Sequence, residues 1–355
     1  MGFDTVIFLL LFYKRSFLLN DRLHKSSYTL ITNGEILIGM DGEFNAARWK
    51  GGDALLNQRV CKVNCDLTKI DDSYLLHFLP AALKRIEDAT PFVTVKHLSV
   101  KSINDIDICL PPLAEQKRIA AILDKADEIR RKRQQTIAKL DQLAQSIFVE
   151  MFGDVATNKG WEVQNLSAVT TFENGDRSSN YPSGDDIKSS GILFLSTKNI
   201  VNDKLDLSTT SFITEEKFNS LSRGKVKQND LIITLRGTLG SCCIFDSEHK
   251  TAFINAQMMI IRPQESVLAP YLHAFLTSTR CKQHLQNIGN GAAVPQLTSK
   301  QFSVLALPVP PLALQEQFAN RINKLEQQKA DQVTALAKQN QLFASLQHQA
   351  FTGQL

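Results

Sequence analysis

The chain has 355 residues, of which 43% are apolar and 21% charged, and its net charge is +4. That length accommodates two domains with their own cores, and the composition excludes a disordered or fibrous chain. The slight basic excess is compatible with a polyanionic partner without requiring one.

Residues 1–27 carry no clean pattern. Residues 6–13 (VIFLLLFY) are wholly apolar, but a bilayer needs about twenty such residues. Lys14 and Arg15 follow this run rather than precede it, and no small-residue cleavage site comes after. A signal peptide is therefore not expected, and a cytoplasmic location is. The six cysteines (Cys61, Cys65, Cys109, Cys242, Cys243 and Cys281) form no framework. Neither Cys61-x3-Cys65 nor Cys242-Cys243 has a matching pair or histidines at zinc spacing, so free thiols are expected and a metal site is not.

A first domain is read over residues 28–110. It has a turn at Asn33-Gly34, a strand at 36–38, a turn at Asp41-Gly42 and a strand at 60–63. Residues 72–85 have helical spacing, with Pro80 as a kink or boundary. Residues 93–108 return to short alternating pieces. A long helix is expected over 111–153, opened by Pro111-Pro112 and capped by Gly153. Ile119, Ala126, Arg133, Leu140 and Ile147 recur every seventh position, and Ile122, Ile129, Thr136 and Leu143 fall three later. That spacing is a heptad seam.

Residues 154–309 read as a second, larger domain. A Gly/Ser/Asp-rich loop covers 174–191, strands are expected at 192–195, 231–235 and 253–262, and a helix at 270–280. A second long helix over 310–355 repeats the first. Superposing Pro112 on Pro311, a shift of 199 residues, matches Gln116 with Gln315, Ala120 with Ala319, Lys139 with Lys338 and Phe152 with Phe351, without a gap. Phe318, Leu325, Leu336, Leu342 and Leu346 are its counterparts for helix pairing or partner docking. Leu123, Ile137, Leu336 and Phe343 lie beside the main seam, placed either to pack the pair or to receive a partner helix.

The domains match as well. NGEILIGMDG (33–42) parallels QNDLIITLRG (228–237), LLNQRVCKV (55–63) parallels FINAQMMII (253–261), and Tyr74 with Phe78 parallels Tyr271 with Phe275. His97-Leu98 parallels Gln296-Leu297. The order is domain, helix, domain, helix, an internal repeat. The first domain has nothing like residues 192–200 and reads as incomplete. An antiparallel helix pair would put the domains at opposite ends of a ruler, about 58 Å long at ~1.5 Å per residue. That is the length of about 17 base pairs.

PPLAEQKRIAAILDKAD (111–127), its echo PPLALQEQFANRI (310–322) and IGMDGEFNAARW (38–49) resemble type I restriction-modification specificity subunits. The resemblance covers residues 28–355. It implies an α+β chain with two mixed α/β target-recognition domains, the first truncated, separated by two long antiparallel coiled-coil helices. It further implies that each domain reads one half of a split double-stranded DNA sequence. The helices would dock two adenine methyltransferase subunits, and restriction subunits would join them. S-adenosylmethionine, ATP and Mg would belong to those partners, with no cofactor in this chain and no catalytic role for it.

The sequence has no Asn-Pro-Pro-aromatic motif and no GxxxxGK[ST] loop. Glu215-x-Lys217 resembles the tail of a nuclease motif, but such a triplet is commonplace. A reader of DNA needs Arg, Lys, Asn and Gln where strands end and loops begin. Candidates in the second domain are Arg177, Lys188, Lys198, Asn199, Arg236 with Gly237, Asn290 and Gln296. In the first they are Arg48, Lys50, Asn57, Gln58 and Arg59. The run Arg130-Arg131-Lys132-Arg133 reads either as a solvated helix face or as a contact with DNA or an acidic partner. Three alternatives stand beside the family reading: a non-functional remnant of such a subunit, a coiled-coil scaffold with protein-binding ends, and a stand-alone nuclease or methyltransferase.

Overall fold

The structure is a computed structural model in which residues 29–91, 95–153, 159–289 and 295–355 are described. The chain divides into two compact units, Met1–Gln135 with Val333–Leu355, and Thr136–Gln332. Each unit holds one domain, or head, and one end of each of two 40-residue helices, Leu113–Phe152 and Leu312–Phe351. The expectations for residues 1–27, including what a truncated start would lack, lie outside the described residues.

In the first unit, a three-stranded antiparallel sheet runs Asn45–Arg48, Ile36–Gly39, Val60–Val63. Strand alternation divides the central strand between two clusters. Ile36 and Ile38 pack with Leu79, Leu83 and Leu98, while Leu37 faces Ile31 and Trp49. The helix covering the sheet is Asp72–Ala89, opened by Asp71, whose carboxylate accepts the Tyr74 amide. It passes through Pro80 instead of ending there. Pro80 is exposed, so the missing bond falls on the solvent face, and buried Tyr74, Phe78, Leu79, Ala82 and Leu83 supply the packing that carries the helix through it.

The second unit has the same plan with a larger outer layer. One antiparallel sheet runs Cys242–Ile244, Leu231–Thr234, Met258–Pro263, Thr170–Asn174. A second runs Phe212–Ile213, Ile192–Leu195, Thr251–Ile254, Lys225–Lys227, with one parallel pair. Leu231, Ile233, Met259 and Ile261 face the helices Ala269–Thr277 and Thr279–Gly289, whereas Ile232, Met258 and Ile260 face Leu193 and Leu195 of the other sheet. Alternation thus builds three layers from one central sheet. Among the described residues, the first unit's counterpart of the second sheet is only the antiparallel pair Leu30–Ile31 and Ala54–Leu55, in the register of Lys225–Lys227 and Thr251–Ile254, with nothing matching Ile192–Leu195 or Phe212–Ile213.

Several expected elements are corrected. The strand expected at 253–262 is two strands in different sheets, separated where Asn255 Oδ1 accepts the Gln257 amide at 3.1 Å. Gly175 lies against that turn, where a Cβ would come within 2.3 Å of the Asn255 carbonyl oxygen. The helix expected at 270–280 breaks at Ser278 (φ −58°, ψ 143°), whose hydroxyl accepts the Cys281 amide at 3.3 Å. Residues 93–108 include the helix Val100–Asn104, capped by Ser99, and its repeat partner is Ser299–Ser303, capped by Thr298; residues 93 and 94 lie outside the described residues. The strand Asn45–Arg48 was not anticipated, because its short side chains carry little apolar signal.

The prolines and the glutamine of the repeat account for how each head is held. Pro112 and Pro311 each accept two amides of the first helical turn. Gln116 is 1% exposed and Gln315 0% exposed. Gln116 Oε1 accepts the Asp71 amide at 2.9 Å, and its Nε2 donates to the Lys69 carbonyl at 3.0 Å and the Pro111 carbonyl at 2.8 Å. Gln315 Oε1 accepts the Leu268 amide at 2.8 Å, and its Nε2 donates to Ser266 at 3.1 Å and Pro310 at 2.8 Å. Each amide therefore joins three backbone groups around the start of the head's main helix and the start of the long helix. A tyrosine adds a second tie: the Tyr74 hydroxyl donates to the Cys109 carbonyl at 3.0 Å, and that of Tyr271 to the Pro308 carbonyl at 2.6 Å. Burial pushes the Tyr271 phenol above its usual range, so it stays a donor.

Within each unit the two long helices run antiparallel. In the first, Ile119, Ala120 and Leu123 pack with Leu346 and Ala350, and Arg130 and Arg133 bond Asn340 and Gln339. In the second, Phe148 and Phe152 pack on Phe318, and Asp141 pairs with Lys329. Gly153 (φ 78°) and Gly353 (φ 73°) close the helices in the left-handed conformation. Among the described residues, no helix is long and apolar enough to cross a membrane and no group of three metal-binding side chains occurs.

Replacing Gln116 or Gln315 by alanine leaves one amide and two carbonyls without their buried partner. Each substitution is expected to lower the unfolding free energy by about 2–3 kcal/mol in urea denaturation. A change below about 0.5 kcal/mol would show that the glutamines do not hold the heads.

Candidate nucleic-acid interface

Three loops meet at the edge of each head on the same hydrogen-bond pattern. In the first head, the Met40 amide donates to the Arg59 carbonyl at 2.9 Å and the Leu98 amide to the Met40 carbonyl at 2.7 Å. In the second, the Leu235 amide donates to Gln257 at 2.8 Å and the Leu297 amide to Leu235 at 2.9 Å. The turn beneath is also shared: Asn57 Oδ1 accepts the Arg59 amide at 2.9 Å, as Asn255 does for Gln257. Asp41 bridges His97 and Arg236 bridges Gln296 through the backbone. Gly42 (φ 75°) and Gly237 (φ 79°) then turn the chain away, in open space where a Cβ would meet nothing within 4 Å.

Met40, Leu98, Leu235 and Leu297 are buried beneath these loops, and Asp41, His97, Arg236 and Gln296 beside them are not. The result is a platform bearing Asp41, Arg59 and His97 in one head and Arg236, Gln257 and Gln296 in the other. His97 Nδ1 lies 2.6 Å from Asp41 Oδ1, and Arg59 Nε lies 3.3 Å from Asp41 Oδ2. Arg236 Nη2 donates to Gln296 Oε1 at 3.0 Å. The first platform pairs a carboxylate with two bases, and the second pairs a guanidinium with amides. Such groups match base edges and phosphates.

The sequence candidates fall into three groups. Arg236, Gly237, Gln296, Asn57 and Arg59 lie on the platforms, with Gln58 exposed beside Arg59. Arg177 joins the second, its Nη2 donating to the Ala256 carbonyl at 3.0 Å. Lys50, Lys188 and Lys198 are exposed elsewhere on their heads, and Asn290 lies outside the described residues. Two candidates are corrected. Asn199 is 4% exposed: its Oδ1 accepts from the Ser196 amide and hydroxyl, and its Nδ2 donates to Asp206 and Thr209, so it shapes its loop from within. Arg48 braces a strand to a helix, donating to Asp72 at 2.6 Å, to Ser73 at 3.0 Å and to the Gly34 carbonyl at 2.9 Å. Arg48 in turn holds the Asp72 carboxyl below its usual range. Asp41, His97 and Gln257 also lie on the platforms and were not among the candidates. Aligning the repeats on Arg236 and Gln296 points to the first two, because Asp41 and His97 occupy those places.

On the long helices, Ile119 and Phe318 are buried, and Ile122, Ala126, Leu140, Ile147, Leu325, Leu336 and Leu346 are half-buried. Ile129, Leu143 and Leu342 are 42%, 45% and 57% exposed, so these three do not pair the helices. Leu123 and Phe343, expected beside the seam, belong to the seam in the first unit. The antiparallel crossing turns the contact stripe off the heptad positions and leaves part of the apolar face uncovered. Ile122, Ala126, Ile129 and Leu342 line a groove of about 560 Å³ flanked by Arg118 and Lys125. Three residues of the basic run are ion-paired. Arg130 pairs with Asp127 and lies 4.4 Å over the Phe343 ring, Arg131 pairs with Asp127, and Lys132 pairs with Glu128. Hydrogen bonds from Lys132 and Lys125 lower the Glu128 carboxyl to about 2.

A family profile described as type I restriction modification DNA specificity domain matches residues 11–142 and 158–342, one match to each half of the repeat. The specificity subunit of the type I restriction enzyme EcoBI from Escherichia coli is 29% identical, over 90% of this chain and 73% of that protein. The MjaVIII specificity subunit from Methanocaldococcus jannaschii is 22% identical, over 85% of this chain and 76% of that one. Among solved structures, the type I S subunit from M. genitalium matches with a TM-score of 0.56 at 16% identity, over 92% of this chain and 84% of that chain. A chain from a structure of type I restriction-modification complex assembly and conformational transition matches with a TM-score of 0.56 at 17% identity, over 94% and 85%. At these identities, the likeness to solved structures is one of fold.

Asn199→Ala is expected to lower the unfolding free energy by about 1–3 kcal/mol, whereas Lys198→Ala leaves it within about 0.5 kcal/mol. Equal effects would contradict the structural role of Asn199. Asp176, beside Arg177, is held at about 2 by hydrogen bonds from Ser178 and then Ser222. Its folded value is depressed, so its stabilisation is fully present above the unfolded carboxylate value of about 4 and is lost as pH falls through about 2. The stability gap between the native chain and Asp176→Asn, measured across pH, is expected to close over that window.

Proposed function

The chain belongs to the type I restriction modification DNA specificity family, and from that premise we propose that it reads a bipartite, asymmetric target on double-stranded DNA. The observation that carries this reading is the repeat of one platform on two heads, each locked by glutamine to a long helix. Two copies of one scaffold with different exposed side chains suit two half-sites of different sequence. The second head reads its half-site with the larger surface. In the first, that sheet is reduced to the pair Leu30–Ile31 and Ala54–Leu55 among the described residues, and the head reads its half with fewer contacts.

The 40-residue helices set the spacing between the half-sites and dock two adenine methyltransferase subunits, which restriction subunits join. The uncovered groove along Ile122, Ala126, Ile129 and Leu342 supports docking of a methyltransferase helix by its apolar face. In this reading the chain is the non-catalytic member of the complex. Its partners bring S-adenosylmethionine, ATP and Mg, and the complex works in the cytoplasm.

Co-expression with its methyltransferase subunits is expected to yield a complex containing two of them for each chain. Selection from a randomised duplex library is then expected to enrich a split motif. A library without an enriched motif would contradict the DNA reading. Four residues inserted after Gln135 and four after Gln332 add about 6 Å to each helix and are expected to lengthen the spacer by about one to three base pairs. An unchanged spacer would contradict a spacing role for the helices.

A further inference from the structure

The two platforms share a backbone and differ in where their arginine is rooted. Arg236 stems from the loop after Leu231–Thr234, at the place that Asp41 takes in the first head. Arg59 stems from the turn after Asn57, at the place that Gln257 takes in the second. In both heads the guanidinium is exposed and held by a single platform neighbour. Gln296 Oε1 accepts from one Arg236 nitrogen at 3.0 Å, and Asp41 lies 3.3 Å from Arg59 Nε. Each guanidinium is steadied through one nitrogen and keeps N–H groups to present as a planar fork.

Arg48 and Arg262, by contrast, are committed to the fold. Arg48 donates to Asp72, Ser73 and Gly34. Arg262 bonds Asp230 at 2.7 and 2.8 Å and also the Lys225 carbonyl. A steadied fork loses less rotamer freedom on binding than an unsupported one. Its ideal partner in duplex DNA is the O6/N7 edge of guanine in the major groove, which takes two parallel hydrogen bonds. A phosphate would also accept such bonds. A lysine would serve a phosphate comparably, and a brace that fixes the plane of the guanidinium adds more to base recognition.

We propose that Arg236 and Arg59 are the specificity-determining residues of the two heads, each reading a guanine from a different corner of the same platform. Gln296 and Asp41 are positioning residues that set the plane of each fork. This rests on the reading of the chain as a DNA specificity protein. Because the arginines are rooted at non-equivalent corners, the guanine falls at different places in the two half-sites, and the target is asymmetric even though the scaffold repeats.

The test is motif selection from a randomised duplex library, using the full chain in its co-expressed complex. The native protein is compared with Arg236→Ala, Arg236→Lys, Arg59→Ala and Gln296→Ala, after thermal melting has shown each variant folded. Arg236→Ala is expected to reduce the preference at one guanine of one half-site by roughly tenfold or more and to leave the other half unchanged. Arg59→Ala is expected to do the reverse. Arg236→Lys should restore little of the lost preference, and Gln296→Ala should weaken the same position that Arg236→Ala abolishes. Variants that bind more weakly with an intact motif would make these residues phosphate contacts and overturn the proposal. Variants with unchanged motif and affinity would overturn it as well. A native chain that enriches no motif would overturn the DNA reading itself, and the proposal with it.

Discussion

Gln116 and Gln315 are buried amides with every donor and acceptor engaged, and each unit is arranged around one of them. An amide offers one acceptor oxygen and two donor hydrogens. Here these are spent on the entry to the head's main helix, the loop before it and the proline that opens the long helix. No apolar residue could satisfy those three backbone groups, and a glutamate would turn a lone pair toward two carbonyl oxygens. The tyrosine tie nearby acts on the same join, so head and helix are fixed to each other by polar contacts shielded from water.

That join frees the outer edge of the head. Because the platform backbone is set by internal hydrogen bonds and by buried Met40, Leu98, Leu235 and Leu297, its side chains can change without disturbing the fold. Within this one chain the experiment has already been done: Asp41 and His97 stand where Arg236 and Gln296 stand, on superposable bonding. A scaffold that tolerates a carboxylate in place of a guanidinium is suited to acquiring new sequence preferences. The same reasoning separates Asn199 and Arg48 from the platform residues, since both are consumed by the scaffold.

The repeat, the domain order and both long helices were legible in the sequence, because a proline-proline start, a glutamine four residues after the second proline and heptad spacing survive in both copies. The family followed from those residues. Element breaks were less legible. The apolar run from Phe253 to Arg262 looks continuous, and only tertiary packing of Gly175 against Asn255 reveals two strands. Helix pairing was half legible: the heptad register found an apolar face, but the antiparallel crossing uses Leu123 and Phe343 and leaves Ile129, Leu143 and Leu342 exposed. Of the residues the structure places on the platforms, residue type had picked out Arg236, Gln296 and Arg59 as candidates. It passed over Asp41 and His97, whose place on the platform shows only when the repeat superposes them on an arginine and a glutamine.

The central claim is that two glutamine-locked heads present different side chains from one platform to DNA. The measurement that meets it most directly is an experimental structure of the full chain, in its complex, on the duplex selected from the library. The account predicts both platforms in the major groove, with Arg236 and Arg59 within hydrogen-bond distance of guanine edges and the Gln116 and Gln315 bonds intact. Platforms turned away from the duplex, with the bases read by other loops, would contradict it.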